Sequence, residues 1–116
     1  MGELDDLKMR LREFARERDW EGFHSPKNLA MALIVEAGEL LEPLQWLSEE
    51  ESSRVDAATH KALSEEVADV LLYLVRLADR LDIDPIAAAY AKIETNARKY
   101  PAERVRGSAR KYTDYP

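Results

Sequence analysis

Two pairs of acids, Glu36-Ala-Gly-Glu39 and Glu66-Val-Ala-Asp69, have the spacing that could do chemistry. On a helix, residues three apart lie on one face, so each pair presents two carboxylates together. Both pairs sit inside apolar runs, LIVEAGELL and EEVADVLLYL, where acids are out of place. Carboxylates drawn into apolar surroundings cost free energy unless a cation or hydrogen-bond donors compensate them. Four carboxylates with neither His nor Cys in the pattern form an oxygen-only donor set, which suits Mg²⁺ or Mn²⁺ better than zinc. A di-iron site of the Glu-x-x-His type needs that spacing on two bundle helices, and the chain does not offer it: Glu21-Gly-Phe-His24 falls in the loop WEGFHSP, and His60 has no Glu three residues before it. Spacing alone leaves a second reading open, in which these are ordinary acids on helix surfaces.

The elements that must position the acids read as helices. Leu7, Leu11, Phe14 and Ala15 mark a first helix over about residues 4–18. Ser25-Pro26 is a cap-and-proline start for a second, running to about Leu47 with a bend at Pro43 and a stripe of Leu29, Leu33, Leu40, Leu44 and Leu47. The polar stretch SEEESSRVDAATH is a connector or a short exposed helical turn. A third helix covers about residues 59–81, its stripe being Leu63, Val67, Val70, Leu74 and Leu77. Asp84-Pro85 caps and starts a fourth, which stops before Pro101, and residues 101–116 read as irregular. The expected fold is therefore all-α, a four-helix bundle in a single domain over residues 1–116.

At about 100° per residue, Glu36 and Glu66 each fall at the edge of their helix's apolar stripe. Glu39 and Asp69 lie about 60° further out. Two helices packed side by side would bring all four acids together.

The chain of 116 residues has no cysteine, so disulfides and thiolate metal sites are excluded. No apolar run approaches the roughly 20 residues of a membrane span, and the charged start MGELDDLKMRLREF lacks a signal-peptide segment, so a cytoplasmic location is expected. The net charge of −6 is unevenly spread: residues 1–91 carry 10 Lys/Arg against 20 Asp/Glu, and residues 92–116 carry 7 against 3. An acidic body disfavours binding to a nucleic-acid polymer. A basic tail behind it suits a phosphate-bearing ligand bridged by a metal, or is simply a solvated tail.

Beyond these features, Glu36-x-x-Glu39, 26 intervening residues and Glu66-x-x-Asp69 resemble the signature of the MazG-like all-α nucleoside triphosphate pyrophosphohydrolases. FARERDWEGFHSPKNLAMAL, EAGELLEPLQW, LSEEVADVLLYLVRLA, KIETNARKYP and RGSARKYTD extend the resemblance over about residues 11–114, toward the branch that hydrolyses dCTP. The metal motif is shared by the wider group; the DW…FH segment, the QW and the KYTD tail are more specific to that branch. The resemblance implies that Glu36, Glu39, Glu66 and Asp69 are magnesium ligands and the catalytic acids. It implies that Trp20, His24 and Trp46 line a base and sugar pocket, which Tyr73 would join from one turn beyond Asp69. Lys92, Asn96, Lys99 and Tyr100 match a KxxxNxxKY motif that contacts phosphate and sugar. Arg110, Lys111 and Tyr112 match a tail that closes over substrate. Where animal members carry a histidine on the first helix, this chain has Leu11, which removes one polar contact from the pocket.

The implied activity is Mg²⁺-dependent hydrolysis of dCTP or a modified dCTP to monophosphate and pyrophosphate in nucleotide-pool sanitation. The implied partners are the nucleotide and further copies of the chain, as a homodimer or dimer of dimers. The same chemistry on dUTP, dTTP or a damaged nucleotide, and a non-catalytic helical module that dimerises through its leucine stripes, are the alternatives.

Overall fold

Capping residues set where the long helices begin. The computed structural model describes residues 2–109 and residue 113, and its helices are α1 (Glu3–Glu17), α2 (Pro26–Leu41), α3 (Glu49–Ser52), α4 (Ala57–Arg80), α5 (Pro85–Lys99) and α6 (Ala102–Val105). Ser25 Oγ accepts the Asn28 N–H at 3.2 Å, Asp56 accepts the Thr59 N–H at 2.8 Å, and Asp84 accepts the Ile86 and Ala87 N–H groups at 3.1 and 3.0 Å. Each bond satisfies backbone donors that the first turn leaves without an intrahelical partner. Pro26 and Pro85 occupy first-turn positions, where the missing N–H costs nothing.

α1 and α4 end alike. Asp19 and Asp82 both adopt φ 54°, and the following residues reach back, Trp20 N–H to the Ala15 carbonyl at 2.9 Å and Ile83 N–H to the Ala78 carbonyl at 2.8 Å. This is the left-handed reversal that usually takes glycine, here tolerated by aspartate.

The structure differs from the sequence expectation at two places, the end of α2 and the segment after Pro101, and gives the polar connector the helical turn that was one of its two readings. α2 stops at Leu41 rather than reaching Leu47, and residues 42–47 continue as separate turns in which the Leu44 and Leu47 N–H groups bond three residues back. Pro43 is the cause, since it has no N–H and its ring crowds the carbonyl four residues earlier. The polar connector forms the single turn α3, nucleated by a reciprocal Ser48–Glu51 capping box. The segment after Pro101, expected to be irregular, contains the single turn α6. The helices thus number six among the described residues, four of them long, and no described residue is in a strand.

Residues 1–83 and 84–116 form two compact units. In the first, α4 is the central element, with α2 and α1 both packed on it. Its buried apolar side chains among the described residues are Ala15, Leu29, Val75 and Ala78. Burying a leucine or valine contributes roughly 2 kcal/mol, so this core is small. Of the expected stripe on α4, Leu63, Val70 and Leu77 are partly covered, whereas Val67 and Leu74 are exposed. Ile34, Val35 and Leu41 of α2 are also exposed. The second unit carries α5 and α6; Ile86, Tyr90 and Ile93 of α5 are exposed. No described helix is long and apolar enough to cross a membrane.

Candidate functional site

The packing of α2 on α4 brings the acidic pairs together. One carboxylate oxygen from each of Glu36, Glu39 and Glu66 lies within 4.8 Å of the others, and all three side chains are half-buried. Glu36 Oε2 and Glu66 Oε2 are shielded from solvent and accept no hydrogen bond. Burial, and then the proximity of Glu66, pushes the Glu36 carboxyl above its ordinary value, with Asp69 adding repulsion. Glu39 is raised chiefly by Glu36 beside it. Shielded oxygens without donors, converging negative charge and an all-oxygen donor set are what a hard divalent cation would satisfy. Glu36, Glu39 and Glu66 are the residues that could hold one.

Asp69, expected as the fourth member, stands outside this trio and is exposed. It lines an adjoining cavity of about 350 Å³ instead. It is nonetheless close enough to raise Glu36 and Glu39, so it is the residue common to acids and cavity.

Aromatic and apolar groups dominate that cavity. Trp20 meets Phe14 edge-on at 5.8 Å and His24 at 6.4 Å, both with interplanar angles of 67°. The position of Trp20 follows from the reversal that ends α1, and a short 3₁₀ turn, Glu21–Phe23, carries the chain to His24. Asn28 Nδ2 braces this turn by donating to the Phe23 carbonyl at 3.1 Å. Trp20, His24 and Tyr73, all expected in a pocket, line this one, and Leu11 contributes to its apolar wall. A flat aromatic ligand inserted here would gain stacking of about 1–3 kcal/mol.

Trp46 is not part of this lining. It sits in the turns after α2 and is 87% exposed. Lys92, Asn96 and Lys99 recur at helical spacing on α5 in the second unit, with Tyr100 at its C-terminal end. Arg110, Lys111 and Tyr112 lie outside the described residues.

The sequence reading passed over Arg76. It lines the cavity, is only 6% exposed, and its Nε–H donates to His24 Nδ1 at 3.2 Å. Its signal was present: a charged residue inside LLYLVRLA is as anomalous as the acids that were noticed. Asp79 accompanies it, accepting Arg76 Nη1 at 3.5 Å and gripping Arg12 of α1 through two bonds of 2.7 and 2.6 Å.

Comparison with known proteins agrees with this geometry. The model of the MazG-like family matches residues 31–115. A protein named dCTP pyrophosphatase 1 from Bos taurus is 48% identical over 115 residues, spanning 97% of this chain and 68% of the relative. Its namesake from Homo sapiens is 46% identical over the same spans. The crystal structure of a pyrophosphatase from Archaeoglobus fulgidus superposes with a TM-score of 0.82 at 43% identity, covering 87% of this chain and 94% of that one. With more than half its length matched and near half its residues shared with those relatives, this chain belongs to the MazG-like family.

Proposed function

We propose that this protein hydrolyses dCTP, or a modified dCTP, to the monophosphate and pyrophosphate with Mg²⁺, and serves in sanitation of a cytoplasmic nucleotide pool. The observation that carries the reading is the trio Glu36, Glu39 and Glu66 beside an aromatic cavity, with Asp69 common to both. Relatives named dCTP pyrophosphatase 1 support the choice of base.

In this reading Glu36, Glu39 and Glu66 would hold the cation. Mg²⁺ supplies charge neutralisation for the triphosphate and makes a nearby water more acidic. Asp69, exposed and outside the trio, is the carboxylate available to take that water's proton. Attack at the α-phosphorus breaks the bond to the bridging oxygen, and the electron pair leaves with pyrophosphate. Trp20, His24 and Tyr73 hold the base so that the α-phosphate faces the acids. Lys92, Asn96, Lys99 and Tyr100 contact phosphate and sugar, offsetting charge on the leaving group. Trp46 closes the base site from a neighbouring copy. Mn²⁺ would substitute for Mg²⁺.

The test is a screen of canonical and modified nucleoside triphosphates for pyrophosphate release. The expected result is highest kcat/KM for dCTP or a cytosine-modified relative; preference for a purine nucleotide would reject the assignment.

Self-association belongs to the same proposal. Ile34, Val35, Val67 and Ile93 are more than half exposed alongside Trp46, more apolar side chains than a small soluble domain leaves in water. A homodimer or dimer of dimers would cover them. Light scattering is expected to give at least twice the 13.3 kDa chain mass at micromolar concentration, and a monomer there would contradict the assembly.

A further inference from the structure

The cavity beside the acids has a built polar corner. Arg76, on α4, is 6% exposed, and a guanidinium is seldom so enclosed without a task or a partner set. Its partners form a line. Arg12 grips Asp79, Asp79 faces Arg76, and Arg76 Nε–H points at His24 Nδ1. The last contact has a chemical consequence. Arginine can only donate, so His24 Nδ1 must be the accepting, unprotonated nitrogen. The ring proton of neutral His24 then sits on Nε2, and the histidine brings a donor to the cavity. Burial first, then the positive charges of Arg76 and Arg80, hold the imidazole below its ordinary pKa, so the neutral ring dominates at physiological pH.

We propose that Arg76 is a positioning residue that fixes His24 as the Nε2–H tautomer, and that the cavity thereby selects a pyrimidine with an unprotonated ring nitrogen on its edge, as cytosine has. Uracil carries N3–H where cytosine carries a lone pair. A fixed donor meets the first with a donor and the second with an acceptor. Leu11, Phe14, Leu29 and Leu72 make most of the remaining wall apolar, and Asp69, Trp20 and Tyr73 complete the lining. A donor held in a fixed orientation disfavours the mismatched ligand, because the donor and the N3–H facing it then both lose a partner. This inference rests on the nucleotide reading above.

Two measurements test it. In ¹⁵N-edited spectra of the metal-free wild type, His24 is expected to carry its proton on Nε2 across neutral pH. The Nδ1–H form would overturn the proposal. Arg76→Met, which removes the donor but keeps the chain's bulk, is expected to release the tautomer. It should also lower the dCTP-over-dUTP preference in kcat/KM about tenfold, the equivalent of one hydrogen bond. The loss should fall mainly on KM, and an unchanged preference in the folded variant would overturn the proposal. Should that variant fail to fold, Arg76→Lys, which retains a donor, is expected to keep Nε2–H and most of the preference; loss of both would overturn it. A wild type that hydrolyses no pyrimidine triphosphate would overturn the nucleotide reading and the selectivity with it. The spectrum would then decide the Arg76–His24 contact alone.

Discussion

Glu36→Gln is expected to abolish pyrophosphate release and, in the absence of divalent cation, to raise the melting temperature. Glu36 is the acid with neighbours on both sides, Glu39 on its own helix and Glu66 across on α4. Removing its charge removes a cation ligand, and the loss in kcat/KM should be about 10³-fold or more, equivalent to about 4 kcal/mol of barrier. Stability moves the other way. Glu36 and Glu39 are both raised above the ordinary glutamate value of 4.5 by burial and mutual repulsion. Between that value and the raised one, the folded chain binds more protons than the unfolded chain. Stability of the metal-free protein therefore falls as pH rises through that window and stays reduced at neutral pH. Glu36→Gln takes away part of that penalty. Added Mg²⁺ should stabilise the wild type, more at neutral pH than near pH 5, and should stabilise the variant much less. Calorimetric melts with and without Mg²⁺ measure all of this. Retained activity, or a metal-free variant less stable than wild type, would count against the acid cluster as a cation site.

The second large effect is structural. Asp79→Asn is expected to destabilise the fold by about 2–3 kcal/mol, because it leaves the Arg76 guanidinium enclosed without a counter-charge. The two side chains are 7% and 9% exposed, whereas Arg12 is 49% exposed and contributes little through charge alone. The melting temperature should fall by roughly 10 °C in a domain of this size. The pH dependence gives a second check. The Arg12 hydrogen bonds hold the Asp79 carboxyl below its ordinary 3.8, so its contribution is fully present above that value and is lost as pH falls through the depressed one. Wild type and variant should therefore converge only in strong acid. Equal stability at neutral pH would show that Arg76 is adequately hydrated without Asp79.

What the sequence disclosed and what it withheld follow physical lines. The acids of α2 and α4 were legible because three-residue spacing and apolar context are local properties. The starts at Ser25-Pro26 and Asp84-Pro85 were legible for the same reason. α2 ends short of the expected Leu47 because Pro43, which lacks an N–H, stops the hydrogen-bond ladder at Leu41 instead of only bending the helix. Periodicity marks which residues are apolar, not which are covered by the same chain. Val67 and Leu74 fit the stripe of α4 yet are exposed. Trp46 fits a pocket motif yet faces solvent in the single chain. Glu39 and Asp69 share the same offset on the helical wheel, yet Glu39 joins the trio and Asp69 lines the cavity, a difference set by how α2 and α4 pack rather than by spacing along either helix. The Arg12–Asp79–Arg76–His24 line joins residues up to 67 positions apart, and no local pattern encodes such a set.

The products formed from dCTP in ¹⁸O-labelled water test the proposed hydrolysis most directly. With Mg²⁺ the wild type is expected to yield dCMP and pyrophosphate in equal amounts, the label in dCMP, and nothing once the cation is chelated. Release of inorganic phosphate with dCDP, label in the pyrophosphate, or turnover that survives chelation would contradict it.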